Sequence, residues 1–157
     1  MIHHDFLQIE VVKNIEQLVE VVFEKSNKNV EYNEFSYKIE HLVPISDTED
    51  NFVDVLIWVD NFLLVCEIKT LLGFGETIRQ LKRYVKYVDG NAIPVLIARE
   101  IYQELFESFE KEGIGCVTFE ELEIDYEKVY FQYEDFEYRE SRKPKMKFPQ
   151  NSLADIL

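Results

Sequence analysis

The stretch Phe52-Val-Asp-Val-Leu-Ile-Trp-Val-Asp-Asn-Phe-Leu-Leu-Val-Cys-Glu-Ile-Lys-Thr70 decides the fold. Val53–Val59 and Phe62–Lys69 are two short runs of strand-favouring residues. Asp60-Asn61 lies between them, a pair that tolerates the positive φ angles of a tight hairpin turn. Three polar side chains interrupt the apolar runs: Asp54, Glu67 and Lys69. Strand side chains alternate, so Glu67 and Lys69 leave one face together, and Asp54 on the antiparallel neighbour can turn to that face too. Two carboxylates and one ammonium then converge on an apolar sheet. A bare carboxylate there is costly, and either an ion pair or a metal would compensate it.

Outward from the hairpin, the chain alternates helical and strand patterns. Phe6, Leu7, Val11, Ile15, Leu18, Val19 and Val22 recur at helical spacing and predict one helix over 6–25, with Glu10, Glu16, Glu20 and Glu24 on its polar face. Residues 34–43 alternate Phe35, Tyr37 and Ile39 against Ser36, Lys38 and Glu40, a half-buried strand. A loop over 44–51 carries Asp47, Glu49 and Asp50. After the hairpin, Leu71 to Gly75 leads into a helix over 76–89 whose buried stripe is Ile78, Leu81, Val85 and Val88. Gln80 and Tyr84 lie one turn apart at its edge. Arg79, Lys82, Arg83 and Lys86 gather on the far side, as a nucleic-acid-binding face or as a solvated one. A buried strand over 93–98, a helix over 100–112 closed by Gly113 and a short strand over 115–119 follow. The order α-β-β-β-α-β-α-β predicts an α/β domain with a mixed central sheet flanked by helices.

At 157 residues the chain is expected to form a single domain over 1–140 with a basic tail over 141–157. No apolar run approaches the ~20 residues that span a bilayer, and the amino terminus lacks the pattern of a signal peptide, so no membrane association and a cytoplasmic, intracellular location are expected. Cys66 and Cys116 both fall in predicted strands and read as reduced core residues. The formal charge of -14 is unevenly spread. Residues 1–60 and 112–140 are strongly acidic, 61–111 are balanced and 141–157 are basic. A DNA-binding protein ordinarily shows a basic footprint, and here that footprint is only local.

The hairpin residues resemble the PD-(D/E)XK nuclease superfamily: Asp54, twelve intervening residues, then Glu67-Ile68-Lys69, with Val53 where the family's usual proline stands. Gln80-Leu81-Lys82-Arg83-Tyr84 is similar to the Gln-x-x-x-Tyr motif of RecB-like members and follows the Glu-x-Lys strand at a short interval. Residues 15–23 look like the corresponding helix of archaeal Holliday-junction resolvases. The resemblance covers residues 6 to 118 in element order. It implies a restriction-endonuclease-like α-β-β-β-α-β core and a metal-dependent endonuclease or exonuclease acting on DNA. It further implies Mg²⁺ (or Mn²⁺) on Asp54 and Glu67, with the Ile68 carbonyl and Glu16, or Glu20 in reserve, as further ligands. Lys69 would orient or deprotonate the attacking water, and Gln80 and Tyr84 would hold the phosphate or the shape of the site.

A reading from a different class is a non-catalytic protein of the same fold whose acidic surface binds a basic partner or mimics nucleic acid. A third is one subunit of a larger nuclease complex, and pairing into a homodimer would suit cleavage of two strands. Tyr126, Tyr130, Phe131, Tyr133, Phe136 and Tyr138 sit among acids over 120–140, where core or interface packing is favoured over base stacking. Gln150 to Leu157 faintly resembles a sliding-clamp-binding box without its aromatic pair.

Overall fold

The computed structural model describes residues 3–26, 31–44, 50–70, 75–88 and 91–143. The acidic 45–49 segment, the 71–74 lead-in and the clamp-like tail lie outside the described residues. Five strands form one mixed sheet in the order β1-β2-β3-β4-β5. These are β1 (Phe35–Pro44), β2 (Asp50–Val59), β3 (Phe62–Lys69), β4 (Asn91–Ala98) and β5 (Gly115–Thr118). The first three pair antiparallel, and β3-β4 and β4-β5 pair parallel. The α/β architecture, a mixed sheet flanked by helices, is that expected from the sequence.

The hairpin forms where its residues require it. Asp60 takes φ 48, and its carboxylate accepts from the backbone N–H groups of Asn33 and Glu34 at 3.1 and 3.3 Å. This ties the turn to the start of β1. β3 is buried on both faces from Leu63 to Ile68, which its unbroken apolar run demands of a central strand.

The expected helix over 6–25 is two helices, α1 (His3–Lys13) and α2 (Ile15–Lys25). Asn14 breaks the run, with its side-chain amide donating to the Glu10 carbonyl at 2.8 Å. Both helices pack on one sheet face. Leu7, Val11, Leu18 and Val22 there meet Val55, Ile57, Cys66, Val95 and Val117. The opposite face is covered by α3 (Gly75–Tyr87) and α4 (Gln103–Lys111). Tyr84 lies over Leu56 and Val65, and Leu81 and Phe109 over Leu96 and Cys116. Gly113, at φ 74, lets the chain leave α4, with the Ile114 N–H returning to the Phe109 carbonyl at 3.0 Å.

The aromatic segment is a 17-residue helix, α5 (Tyr126–Arg142), capped by Asp125, whose carboxylate accepts from the Lys128 N–H at 3.2 Å. Two of its rings pack on α1: Tyr133 and Phe136 meet Phe6 edge to face at 6.0 and 5.7 Å, while Phe131 and Tyr138 are exposed. Both cysteines are free and buried. Among the described residues no helix is long and apolar enough to cross a membrane.

Candidate active site

The β2-β3 register runs from Val59↔Phe62 to Val55↔Cys66 and stops there. One further step would set Asp54 opposite Glu67, and directly opposite residues of an antiparallel pair share a face. At this point β2 leaves the ladder. The Asp54 carboxylate itself accepts the Ile68 N–H, Oδ2 to N at 2.8 Å. On the other side, the β1-β2 register passes from Ile39↔Val55 to His41↔Val53, omitting Glu40, which has φ 52. Val55 and Ile57 belong to the core under α1 and α2, whereas Val53 and Val43 join Leu56 and Tyr84 on the opposite face. The alternation is therefore inverted across Asp54. Asp54 keeps the position one step beyond Val55↔Cys66, opposite Glu67, and it is the residues on its far side, Val53 and Val43, that change face.

Helix α1 closes this end of the sheet. His4 Nε2 lies 2.9 Å from Asp54 Oδ1, and buried Gln8 donates to the Asp54 backbone carbonyl at 3.2 Å. Burial works to raise the Asp54 pKa. The hydrogen bond and charge of His4, the Ile68 N–H and a hydrogen bond with Glu67 outweigh it and hold the carboxyl below its ordinary range. His4 is raised in return, chiefly by that same hydrogen bond. Glu67 is the reverse case. Burial first, then the charge of Asp54 and the hydrogen bond to it, push its pKa to about 9, against the pull of Lys69. Two adjacent carboxylates thus keep one proton at neutral pH. Lys69 Nζ stands 3.9 Å from Glu67 Oε2. Glu67 Oε1 is buried and has no hydrogen-bond partner among the described residues.

These groups line an open cleft of 1060 Å³ between the end of β2-β3 and α3. His4, Asp54, Glu67, Ile68 and Lys69 line it from one side, and Arg79, Gln80, Arg83 and Tyr84 from α3. Gln80 Nε2 donates to Tyr84 Oη at 2.8 Å, and Tyr84 Oη donates to the Phe52 carbonyl at 3.4 Å. Tyr84 is 1% exposed, and burial lifts its phenol to about 12. The pair therefore ties α3 to the splayed end of β2. Of the four expected basic residues, Arg79 and Arg83 line the cleft. Lys82 is paired with Glu112 beyond α4, and Lys86 is exposed outside the cleft wall.

Glu16 is not brought to this cluster. It and Glu20 are exposed on α2, and their charges, after burial, raise the Tyr32 phenol. Tyr32 packs on Phe35, which pairs with Val59 at the turn end of the hairpin. The break at Asn14 is the reason: the helix that reaches Asp54 is α1, and its contributions are His4 and Gln8. Neither was expected from the sequence: His4 precedes the first apolar position of the helix, and no local pattern marks Gln8.

A divalent ion suits this donor set. Asp54 and Glu67 would offer it carboxylate oxygens, among them the Glu67 Oε1 that has no hydrogen-bond partner among the described residues. Mg²⁺ keeps several waters and needs few protein oxygens. Among the described residues no group of three or more His, Cys, Asp or Glu side chains is placed to hold a metal ion.

No protein-family model matches the chain, and no curated protein matches it. Among solved structures it is similar to a protein of unknown function, AF1548, at 14% identity and TM-score 0.45, over 68% of this chain and 57% of that one. It is similar to protein VC1899 from Vibrio cholerae at 21% identity and TM-score 0.48, over 62% of this chain and 27% of that one. It is also similar to a repair endonuclease from Pyrococcus abyssi at 20% identity and TM-score 0.39, over 66% of this chain and 45% of that one. The chain thus spans less than two thirds of each of these proteins, and likenesses this distant carry no argument about function.

Proposed function

We propose that this protein is a metal-dependent nuclease that hydrolyses phosphodiester bonds in DNA. The observation that carries the reading is the pair of carboxylates Asp54 and Glu67, the latter with a buried oxygen that has no hydrogen-bond partner among the described residues, at a cleft whose α3 wall carries Arg79 and Arg83. Asp54 and Glu67 would hold Mg²⁺ or Mn²⁺, with His4 and the Ile68 backbone beside them. When bound, such an ion lowers the pKa of water and polarises a phosphoryl oxygen. His4 and the Ile68 N–H fix the Asp54 carboxylate in place. Lys69 orients the attacking water or steadies charge on the phosphoryl oxygens. Arg79 and Arg83 pair with flanking phosphates, a role guanidinium geometry suits. Gln80 and Tyr84 hold the cleft open by bracing α3 on β2.

The test is a panel of linear, branched and single-stranded DNA and RNA incubated with Mn²⁺ or Mg²⁺, wild type beside Asp54→Ala. Metal-dependent cleavage of DNA that Asp54→Ala abolishes is expected. No cleavage of any substrate, or equal cleavage by the variant, overturns the reading.

The charge of -14 and the exposed Glu16, Glu20 and Glu24 on α2 favour a second reading, an acidic module that binds a basic partner or joins a larger nuclease. It predicts tight, salt-sensitive binding to a basic protein and no cleavage by the purified chain.

A further inference from the structure

A second cavity adjoins the cleft. It has a volume of 220 Å³, and its walls include His41 and Pro44 of β1, Leu56 and Trp58 of β2, and Tyr87 of α3. Tyr87 follows Arg83 by one helical turn, about 6 Å along the axis. Val43 of this cavity pairs with Asn51 of the cleft wall. The two spaces are therefore neighbours on one sheet face.

Three walls are π-systems. His41 and Trp58 meet edge to face at 5.9 Å and 87°, and Tyr87 is 50% exposed. The inversion of strand alternation beyond Glu40 is what sets His41 against Trp58. His41 Nδ1 is buried and has no hydrogen-bond partner among the described residues.

We infer that this cavity takes one unstacked nucleobase from a strand whose phosphates lie along Arg79 and Arg83. Tyr87 and Trp58 supply ring faces, and His41 edges the same wall. The inference rests on the nucleic-acid reading of the cleft. Aromatic faces beside a basic wall are the usual means of holding single strands without strict sequence choice. A duplex keeps its bases stacked and does not offer one to such a cavity, so the site selects single-stranded or unpaired DNA.

Trp58 is the chain's single tryptophan, so its emission reports on this cavity directly. Wild-type protein in EDTA is titrated with a single-stranded oligonucleotide, its duplex and dAMP, following Trp58 emission and, for the DNAs, anisotropy. Saturable quenching by the single strand is expected, with weaker quenching by dAMP and none by the duplex. Strong quenching by dAMP with none by the strand would instead mark a free-nucleotide site and overturn the inference. Tyr87→Ala should weaken single-strand binding about 5- to 150-fold, the range for one base–aromatic stack, and His41→Ala should weaken it less. Single-strand binding with silent Trp58 emission, no binding at all, or unchanged affinity in Tyr87→Ala overturns the inference. The outcomes separate from the cleavage test. Quenching without cleavage under any metal leaves this site standing and removes the nuclease reading; cleavage with silent Trp58 does the reverse.

Discussion

Replacing Glu67 by Gln should stabilise the metal-free protein at high pH. In the fold this carboxyl has its pKa raised from about 4.5 to about 9. Between those values the native chain holds a proton that the unfolded chain has released. Stability from this group is therefore full below pH ~4.5 and is lost as pH rises toward ~9. At pH 8 the loss has a ceiling of about 5 kcal/mol, at 1.36 kcal/mol per pH unit. The depressed pKa of Asp54, which shares the proton, works in the opposite sense and reduces it. Gln keeps the shape, carries no charge and offers Asp54 an N–H donor. A net gain of about 1–4 kcal/mol is expected at pH 8, or roughly 3–12 °C in Tm for a chain of this size. At pH 5 the same substitution should gain less than ~1 kcal/mol. Thermal unfolding followed by circular dichroism in EDTA, at pH 5 and pH 8, measures both. Adding Mn²⁺ should then raise the wild-type Tm by about 2.7 kcal/mol equivalent at one hundred times Kd, and the variant's by less. Destabilisation of Glu67→Gln at pH 8 in EDTA, or a shift equal at both pH values, refutes the buried-pair reasoning.

Three further outcomes follow from the same contacts. His4→Ala removes a charge-assisted hydrogen bond and should cost about 1–2 kcal/mol at pH 6. Because His4 is raised, that stability is present below the ordinary histidine pKa and fades as pH climbs through the folded value, so the cost should shrink by pH 8. Tyr84→Phe frees the Phe52 carbonyl and the Gln80 amide and should lower Tm by about 2–4 °C, for a loss of about 1 kcal/mol. Arg83→Ala should weaken DNA binding and reduce the log–log salt slope by about one, measured by anisotropy in EDTA, while Lys86→Ala, outside the cleft wall, changes the affinity less than about twofold.

The hairpin was legible because two short apolar runs rich in strand-favouring residues flank Asp60-Asn61. Its register then brought Asp54 and Glu67 together by arithmetic alone. The inversion at Glu40 and Asp54 was not legible, since an alternating pattern reads the same whether or not one residue steps out of the ladder. The break at Asn14 was hidden for a related reason: Val11 and Ile15 stand four apart, as in one continuous helix, because both helices bury the same face. His4 left no local signal, as its partner lies fifty residues away. In α5 the signal was present. Tyr126, Val129, Tyr133 and Phe136 recur at helical spacing, but the acids between them and the weak apolar contrast concealed a stripe that packs on Phe6.

The net charge bears on where DNA can lie rather than on whether it binds. Glu16 and Glu20 act on Tyr32, which sits at the Val59 end of the hairpin. Five residue steps along the strand separate Val59 from Asp54, roughly 17 Å at 3.3 Å each. The Debye length is about 8 Å at physiological salt and about 30 Å at 10 mM. The acidic patch on α2 is thus screened from the cleft in the first case and felt in the second. Replacing Glu16, Glu20 and Glu24 by Gln together should tighten DNA binding several-fold at 10 mM salt and leave it within about twofold at 150 mM. Anisotropy titrations in EDTA at both salt concentrations decide it. Equal tightening at 150 mM would mean that the strand passes over α2 itself, and the path along Arg79 and Arg83 would then be wrong.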